Sequence, residues 1–405
     1  MKKQFLGVVV GSLLLSGCSL GGVPVSLTGN ENSATSSEIS AFAIKSVSGS
    51  LWKTEDSGKT FMVKSQVDAK SSITKADILS IAYHPQKSGM IYVGTVDSGI
   101  FKTENGGDQW TPIAFPPKRI YSFILDKNDP DNRMFASGMV GEWGKIFRTD
   151  DGGTTWRDVY TEPGQKIPIT ALSQHFRERN IIFAGTAAGT VVKSVDSGET
   201  WANVGNEING TVSDIAFDST KSLVTYLLVF GQKVYYSSDG GVQWIDWEVE
   251  KQKEMADLQD RASRVSSKGN RSEGDSIRNQ VTNLSKRNQE NEMPRGIVSI
   301  ASDPTQSGVL YAGTNVGLFR STDFGKYWEE INIIESAKAF PIRSIAVNPQ
   351  DSEEIVFVAG KAFYKSIDGG VTWMTTGLNV DRGVSFITYD PFDPKYLFIG
   401  LRNFK

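Results

Sequence analysis

Few residues in this 405-residue chain have both the type and the spacing to do covalent chemistry. There are two histidines, His84 and His175, each closing a short apolar run, and neither has a Cys or a second His at metal-ligand spacing. Metal-dependent or histidine-based catalysis is therefore not expected, and no cofactor is expected. Four carboxylates in polar segments, Asp97, Glu142, Glu207 and Asp381, could supply the pair of carboxyl groups that glycoside hydrolysis requires. Five cations, Arg119, Lys166, Arg295, Arg343 and Arg382, stand one to four residues ahead of the core of an apolar run. They read either as solvated turn charges or as a patch whose guanidinium forks grip carboxylates bidentately. Cys18 is the only cysteine, so internal disulfides are excluded. A formal net charge of −3 gives no pull toward a polyanion, and no nucleic-acid partner is expected.

The elements that must position these residues are set by a repeated octapeptide, Ser/Thr-x-Asp-x-Gly-x-x-Trp. Its copies are Thr54 to Phe61, Thr103 to Trp110, Thr149 to Trp156, Ser194 to Trp201, Ser237 to Trp244, Ser321 to Trp328 and Ser366 to Trp373. The Asp/Asn positions are Asp56, Asn105, Asp151, Asp196, Asp239, Asp323 and Asp368, so the period is 43 to 49 residues except for one interval of 84. A period of that size is typical of propeller blades, and the long interval marks an insertion. The Asp and Ser/Thr side chains can bond nearby backbone amides while Gly supplies positive φ, which makes the octapeptide a self-sufficient hairpin turn. The Trp opens the next strand and can bury its ring against a neighbouring unit. Calcium is the competing use of Asp-x-Gly spacing, but one dependable carboxylate per copy falls short of the several oxygens that ion needs.

These octapeptides resemble Asp-box (BNR) repeats, which occur in sialidases, xyloglucanases, the sortilin ectodomain and the photosystem II assembly/stability factors. The resemblance covers most of residues 40 to 405 and implies fold more than function, because those families share blades and differ in chemistry. Around each box the pattern repeats: an apolar strand such as Leu79 to Pro85, a second such as Met90 to Thr95, a Gly-led third running into the box, and a fourth after the Trp. First strands recur near Tyr121, Ile169, Val212, Ile297, Ile342 and Val384, which predicts an all-β, seven-bladed propeller of four-stranded blades over residues 41–405. The chain lacks a first strand before its first box and a box after its last first strand. The termini should therefore complete one blade together, with either Phe42 to Val47 or Tyr396 to Leu401 as its second strand.

Two segments lie outside the blades. Lys2 and Lys3, the apolar run Phe5 to Leu15 and then Leu15-Ser16-Gly17-Cys18 resemble a bacterial lipobox. That resemblance implies a signal peptide over residues 1–18, cleavage before Cys18, and a lipid anchor on it. The protein would be exported and held at the cell membrane or outer membrane of a bacterium. Residues 19–40, rich in Ser, Gly, Asn and Thr, read as a flexible tether. Residues 250–294 are polar, with Met255, Leu258, Ala262, Val265, Ile277, Val281 and Leu284 at helical spacing, which predicts two helices joined near 269–274. That insertion reads either as a solvated hairpin without a role or as a partner-binding arm.

Related propellers carry their boxes on the face opposite the working one, which directs attention to the segments leading into first strands and hence to the five cations. The photosystem II factors resemble this chain in blade number, exported location and an arginine-bearing surface. The expected function is a non-enzymatic binding or assembly module for a protein or envelope component, tethered to a membrane through Cys18. The alternative is a glycoside hydrolase of sialidase or xyloglucanase type. Against it, Phe340-Pro341-Ile342-Arg343 reverses the order of the sialidase Phe-Arg-Ile-Pro element, and xyloglucanases place their site between two propellers where this chain provides one.

Overall fold

In the computed structural model of the chain, residues 49–404 are described, apart from 65–72 and 118. The signal-like segment, Cys18, the tether and Phe42 to Val47 lie outside the described residues. Seven antiparallel sheets form a ring, each built from consecutive short strands except the one that closes it. The blades start with the strands Ile78–Tyr83, Ile120–Leu125, Ile169–Gln174, Val212–Phe217, Ile297–Ser302, Ile345–Asn348 and Gly383–Tyr389. These first strands touch one another in sequence and the last returns to the first, so they surround a central channel. Their opening apolar residues, Ile78, Ile120, Ile169, Val212, Ile297, Ile342 and Val384, are all buried. In six of the seven a bulge follows that residue and turns the next one out of register with its partner strand.

The closing blade orders its strands Met62–Val63, Leu51–Thr54, Leu397–Arg402 and Gly383–Tyr389. Leu397–Arg402 thus takes the second-strand position, and Leu51 to Thr54 pair with Gly400 to Leu397. This joins strands more than 300 residues apart and leaves no open edge between them. Blade four departs from the repeat. It has three paired strands, and its outer position is reduced to a bridge between Tyr236 and Ile245. The chain turns away there because Asp246 caps helix α1 (Trp247–Ser267), accepting a hydrogen bond from the Glu248 amide.

Helix α2 (Arg271–Glu290) runs back along α1 after a turn at Gly269, with Asn270 as its cap. The hairpin is docked rather than loosely attached. Trp247 Nε1–H donates to the Phe324 carbonyl, the Tyr327 hydroxyl meets Asn288, Lys326 pairs with Glu254, and Arg287 lies over the Tyr327 ring. Blade five's box is adapted for this contact: Phe324 holds a positive φ of 65° where the six other boxes have Gly or Ser.

Between blades, the box aromatics provide the cement. Trp110 packs with Leu51 and Phe398 of the closing blade, Trp328 with Tyr226 and Val234 of blade four, and Phe61 edge-on with Phe363 of blade six. Each therefore grips the preceding blade. The box Gly is required twice over, as at Gly58, where φ is +94° and a Cβ would stand 2.3 Å from the Phe363 ring.

Candidate binding face at the channel mouth

Strands alternate in direction along a blade, so each box turn and each turn between first and second strands fall on one face of the ring. The lead-in to each first strand and the turn between second and third strands fall on the other. These are called the box face and the mouth face below.

On the box face the polar groups are consumed by local bonding. In the third box Thr149 Oγ1 donates to Asp151 Oδ1 at 2.7 Å and accepts from the Gly153 amide at 2.9 Å. Asp151 also receives the Thr155 amide and hydroxyl. Asp56, Asp196, Asp239 and Asp368 repeat the Ser/Thr–Asp bond of this arrangement, Asp323 does so with Ser321, and Asn105 substitutes its amide oxygen without altering the turn. The Thr hydroxyl, then the backbone amide, hold Asp56, Asp151, Asp196 and Asp368 at about 2. With their lone pairs so engaged, these carboxylates form no metal cluster among the described residues.

The histidines belong to the same bookkeeping. His84, Asp126, His175, Asp218, Asp303, Asn348 and Asp390 occupy one equivalent position, at the close of the seven first strands, and all are buried. Each accepts the backbone N–H two residues on. His175 Nδ1 takes the Arg177 and Glu178 amides, which leaves Nε2–H to donate to the Ser222 carbonyl at 2.8 Å. Desolvation pushes both histidines below their ordinary value, toward the neutral form this capping uses. They are turn caps.

The mouth face is different. All five cations and all four candidate carboxylates lie in its connections. The sequence treats the cations as one set, but the structure divides them. Arg382 is a clamp: its guanidinium donates to the carbonyls of Ala76, Gly49 and Thr74 at 2.6 to 2.8 Å and pairs with Asp77 at 3.3 Å, tying the closing blade to blade one. Lys166, with a φ of 62°, pairs with Glu142 at 3.1 Å at the tip of blade two's long hairpin. Arg119, Arg295 and Arg343 make no ion pair among the described residues. Asp97 bonds Ser98, Asp381 bonds Arg382, and Glu207 lines a cavity of about 660 Å³ between blade three and the start of α1.

Arg119 and Arg343 are joined by a residue that sequence reading missed, Arg402. Arg343 and Arg402 both lie over the Phe404 ring, and Arg119 lies over Tyr121. Desolvation, then proximity to Arg343 and Arg119, lowers Arg402 despite the opposing charge of Asp77, and desolvation alone lowers Arg343. Arg343 meets water but is walled by protein beside the channel, so solvation is partial. Asp77 is already engaged by Arg382 and Asn403. Three guanidiniums therefore gather with no carboxylate of their own. Elsewhere the mouth face exposes apolar side chains in several blades: Trp143 and Val140 on the blade-two hairpin, Phe230, Val316 and Phe340. Asp214, also missed, meets channel water on blade four's first strand, yet surrounding protein pushes its carboxyl up to about 6.

The only sequence trace of Arg402 is a break in the repeat. Second strands end Val93-Gly94-Thr95, Ala184-Gly185-Thr186 and Ala312-Gly313-Thr314, where the Thr hydroxyl caps the following turn. Blade seven reads Ile399-Gly400-Leu401-Arg402, because its second and third strands come from opposite ends of the chain and need no turn between them.

A family profile described as "Photosynthesis system II assembly factor YCF48" matches residues 69–225, somewhat under half of the chain. Among solved structures, YCF48 bound to D1 peptide aligns at a TM-score of 0.55 with 15% identity, covering 81% of this chain and 94% of that one. The chain is a seven-bladed Asp-box (BNR) propeller of Ycf48-like form. The same blades also align with the GH74 xyloglucanase from Xanthomonas campestris at a TM-score of 0.58 and 17% identity, covering 80% of this chain but 51% of the enzyme. At these identities both likenesses establish the fold alone. Among curated relatives, xyloglucanase Xgh74A of Acetivibrio thermocellus is 24% identical over 207 residues, which is 40% of this chain and 25% of the enzyme. The photosystem II assembly lipoprotein Ycf48 of a Synechococcus strain is 26% identical over 168 residues, 41% of this chain and 47% of its own length. This Ycf48-like propeller thus matches about a quarter of the one relative and about half of the other. No helix among its described residues is long and apolar enough to cross a membrane.

Proposed function

We propose that the chain is a non-enzymatic binding or assembly module, exported and tethered to a bacterial membrane through lipid on Cys18, whose mouth face takes a segment of a protein partner. The observation that carries this reading is the group Arg119, Arg343 and Arg402, three guanidiniums that make no ion pair among the described residues, with the nearby Asp77 already engaged by Arg382 and Asn403, on the face that the box turns leave free. Removing guanidinium groups from bulk water and crowding them is unfavourable for the isolated fold, and a partner carboxylate offsets it. Exposed aromatic side chains on the same face, Trp143 and Phe340 among them, add the residue types that, with Arg, characterise energetic centres of interfaces. The solved YCF48 complex with D1 peptide supports a peptide or protein as the ligand class.

The glycoside hydrolase reading retains support from the xyloglucanase relatives. A hydrolase of that kind needs a protonated acid facing a second carboxyl group across a sugar. Asp214 has a raised pKa, but the rise comes from desolvation, against the lowering effect of the Ile215 amide, with no second carboxylate contributing. Glu142 and Asp381 are committed to Lys166 and Arg382. The binding reading is therefore the better supported.

The test is affinity purification from membranes with crosslinking, comparing the native chain with Arg119, Arg343 and Arg402 all changed to Ala. The variant is expected to fold as well as the native protein and to lose its partner, with native capture weakening as salt rises. Equal capture by both proteins would overturn the reading.

A further inference from the structure

On the mouth face the chain lays one of its own side chains across two of the three guanidiniums that make no ion pair among the described residues. The Phe404 ring centre is 4.2 Å from Arg343 Cζ and 4.4 Å from Arg402 Cζ. Two contacts seat the ring. Asn403 donates its backbone and side-chain N–H groups to Asp77 Oδ1 at 2.8 and 3.1 Å, and Gly383 leaves a space in which a Cβ would come within 2.6 Å of the ring.

What the ring does not do is satisfy the hydrogen-bonding edges of the arginines. A guanidinium offers five N–H donors in its plane, and stacking on an aromatic face uses none of them. Arg402 Nε is buried with no hydrogen-bond partner. Arg343 has no ion pair among the described residues, and Arg119 adds a third positive charge. The faces of two guanidiniums are thus covered by an aromatic ring while their edges await acceptors.

We propose that Phe404 is an internal occupant of the mouth, standing where an aromatic side chain of the partner would stack, and that an acidic segment carrying such a residue displaces it. In the bound state the partner's ring replaces Phe404 on Arg343 and Arg402, and its carboxylates take the N–H edges of those residues and of Arg119. This rests on the mouth-face reading of function and names the chemistry of the ligand. The fold tolerates departure of the ring because the neighbouring closure depends on other atoms, those of Arg382 bound to Ala76, Gly49 and Thr74.

The full chain can be tested with two readouts. The first is phenylglyoxal modification of Arg343 and Arg402, mapped by mass spectrometry. The second is fluorescence anisotropy of a labelled deca-glutamate peptide and of the same peptide with one central phenylalanine. Phe404→Ala is expected to speed modification of both arginines and to tighten binding of the phenylalanine-bearing peptide roughly tenfold, the scale set by freeing two cation–π contacts. Phe404→Tyr, which keeps the ring, should behave as the native chain does. The proposal is overturned if Phe404→Ala is modified and binds as the native chain does, or if modification quickens while neither peptide binds more tightly. Loss of partner capture on changing the three arginines, together with no effect of Phe404→Ala, would sink this inference alone. Native-like capture by the arginine variant would instead sink the functional reading beneath it.

Discussion

The two faces of the ring use the same residue types for opposite ends. On the box face Asp151, Thr149 and His175 all find partners within a few residues, or in the adjacent blade, and the arrangement recurs in every blade. On the mouth face Arg119, Arg343 and Arg402 come from blades two, six and seven and make no ion pair among the described residues; Lys166 and Arg295 hold the lead-in position in blades three and five, but Lys166 pairs with Glu142 and neither acts on Arg402 as Arg119 and Arg343 do. A feature repeated seven times is explained by building a blade. The gathering of Arg119, Arg343 and Arg402 occurs once and sits on the opposite face, and building a blade does not require it.

The largest effect expected from this contrast is on stability and belongs to the box face. Trp328→Ala removes a buried ring that joins blade five to blade four and should cost about 3–5 kcal/mol in denaturant unfolding. Trp143→Ala, on the mouth-face hairpin, should cost no more than about 0.5 kcal/mol and should weaken partner capture instead. If both substitutions destabilise equally, the division of labour between the faces fails.

Within the mouth face a second contrast should follow. Arg382→Ala strips hydrogen bonds from three backbone carbonyls and leaves Asp77 without its cation, and a loss of about 2–4 kcal/mol is expected. Arg343→Ala removes a charge with no opposing partner and should leave stability unchanged within about 0.5 kcal/mol. Chemical denaturation of the two single variants separates the clamp from the arginine without an ion pair.

A smaller effect concerns pH. Asp214 has its folded pKa raised from 3.8 to about 6, so the folded state binds the proton more tightly than the unfolded chain. Stability is therefore greatest below about pH 4 for this group and declines as pH rises through about 6. Two pKa units would be about 3 kcal/mol in a dry site, and contact with channel water reduces the expectation to about 1 kcal/mol. Asp214→Asn should thus stabilise the protein at pH 7 and not at pH 4. The exposed box carboxylates run the other way: their stabilisation is present above about 3.8 and is lost as pH falls toward about 2.

What could be read in the sequence follows the same division. The boxes, the seven blades and the shared closing blade were legible because each is written in local turn chemistry and repeated at a near-constant period. The two helices were legible from apolar spacing, and their join at Gly269 lies at the start of the expected region. Arg382 was indistinguishable from the other cations because its acceptors, Gly49, Thr74 and Ala76, lie more than 300 residues away in the chain. Arg402 and Phe404 carry no motif. Their meeting with Arg343 and Arg119 is created by ring closure, and a linear pattern does not contain it. The anchor is separate: Cys18→Ser should release the protein from membranes, as fractionation would show.

The central claim is that the mouth face, and not the box face, holds the partner. The most direct measurement is quantitative crosslinking of the membrane-derived partner to two full-length variants of matched stability. One has Arg119, Arg343 and Arg402 changed to Ala, and the other has the exposed box-face residues Val195, Ile367 and Val371 changed to Ser. The account predicts that capture is lost in the first and retained in the second, with the residual crosslinks of the second falling on blades two, six and seven. Capture retained by the arginine variant and lost by the box-face variant would contradict it.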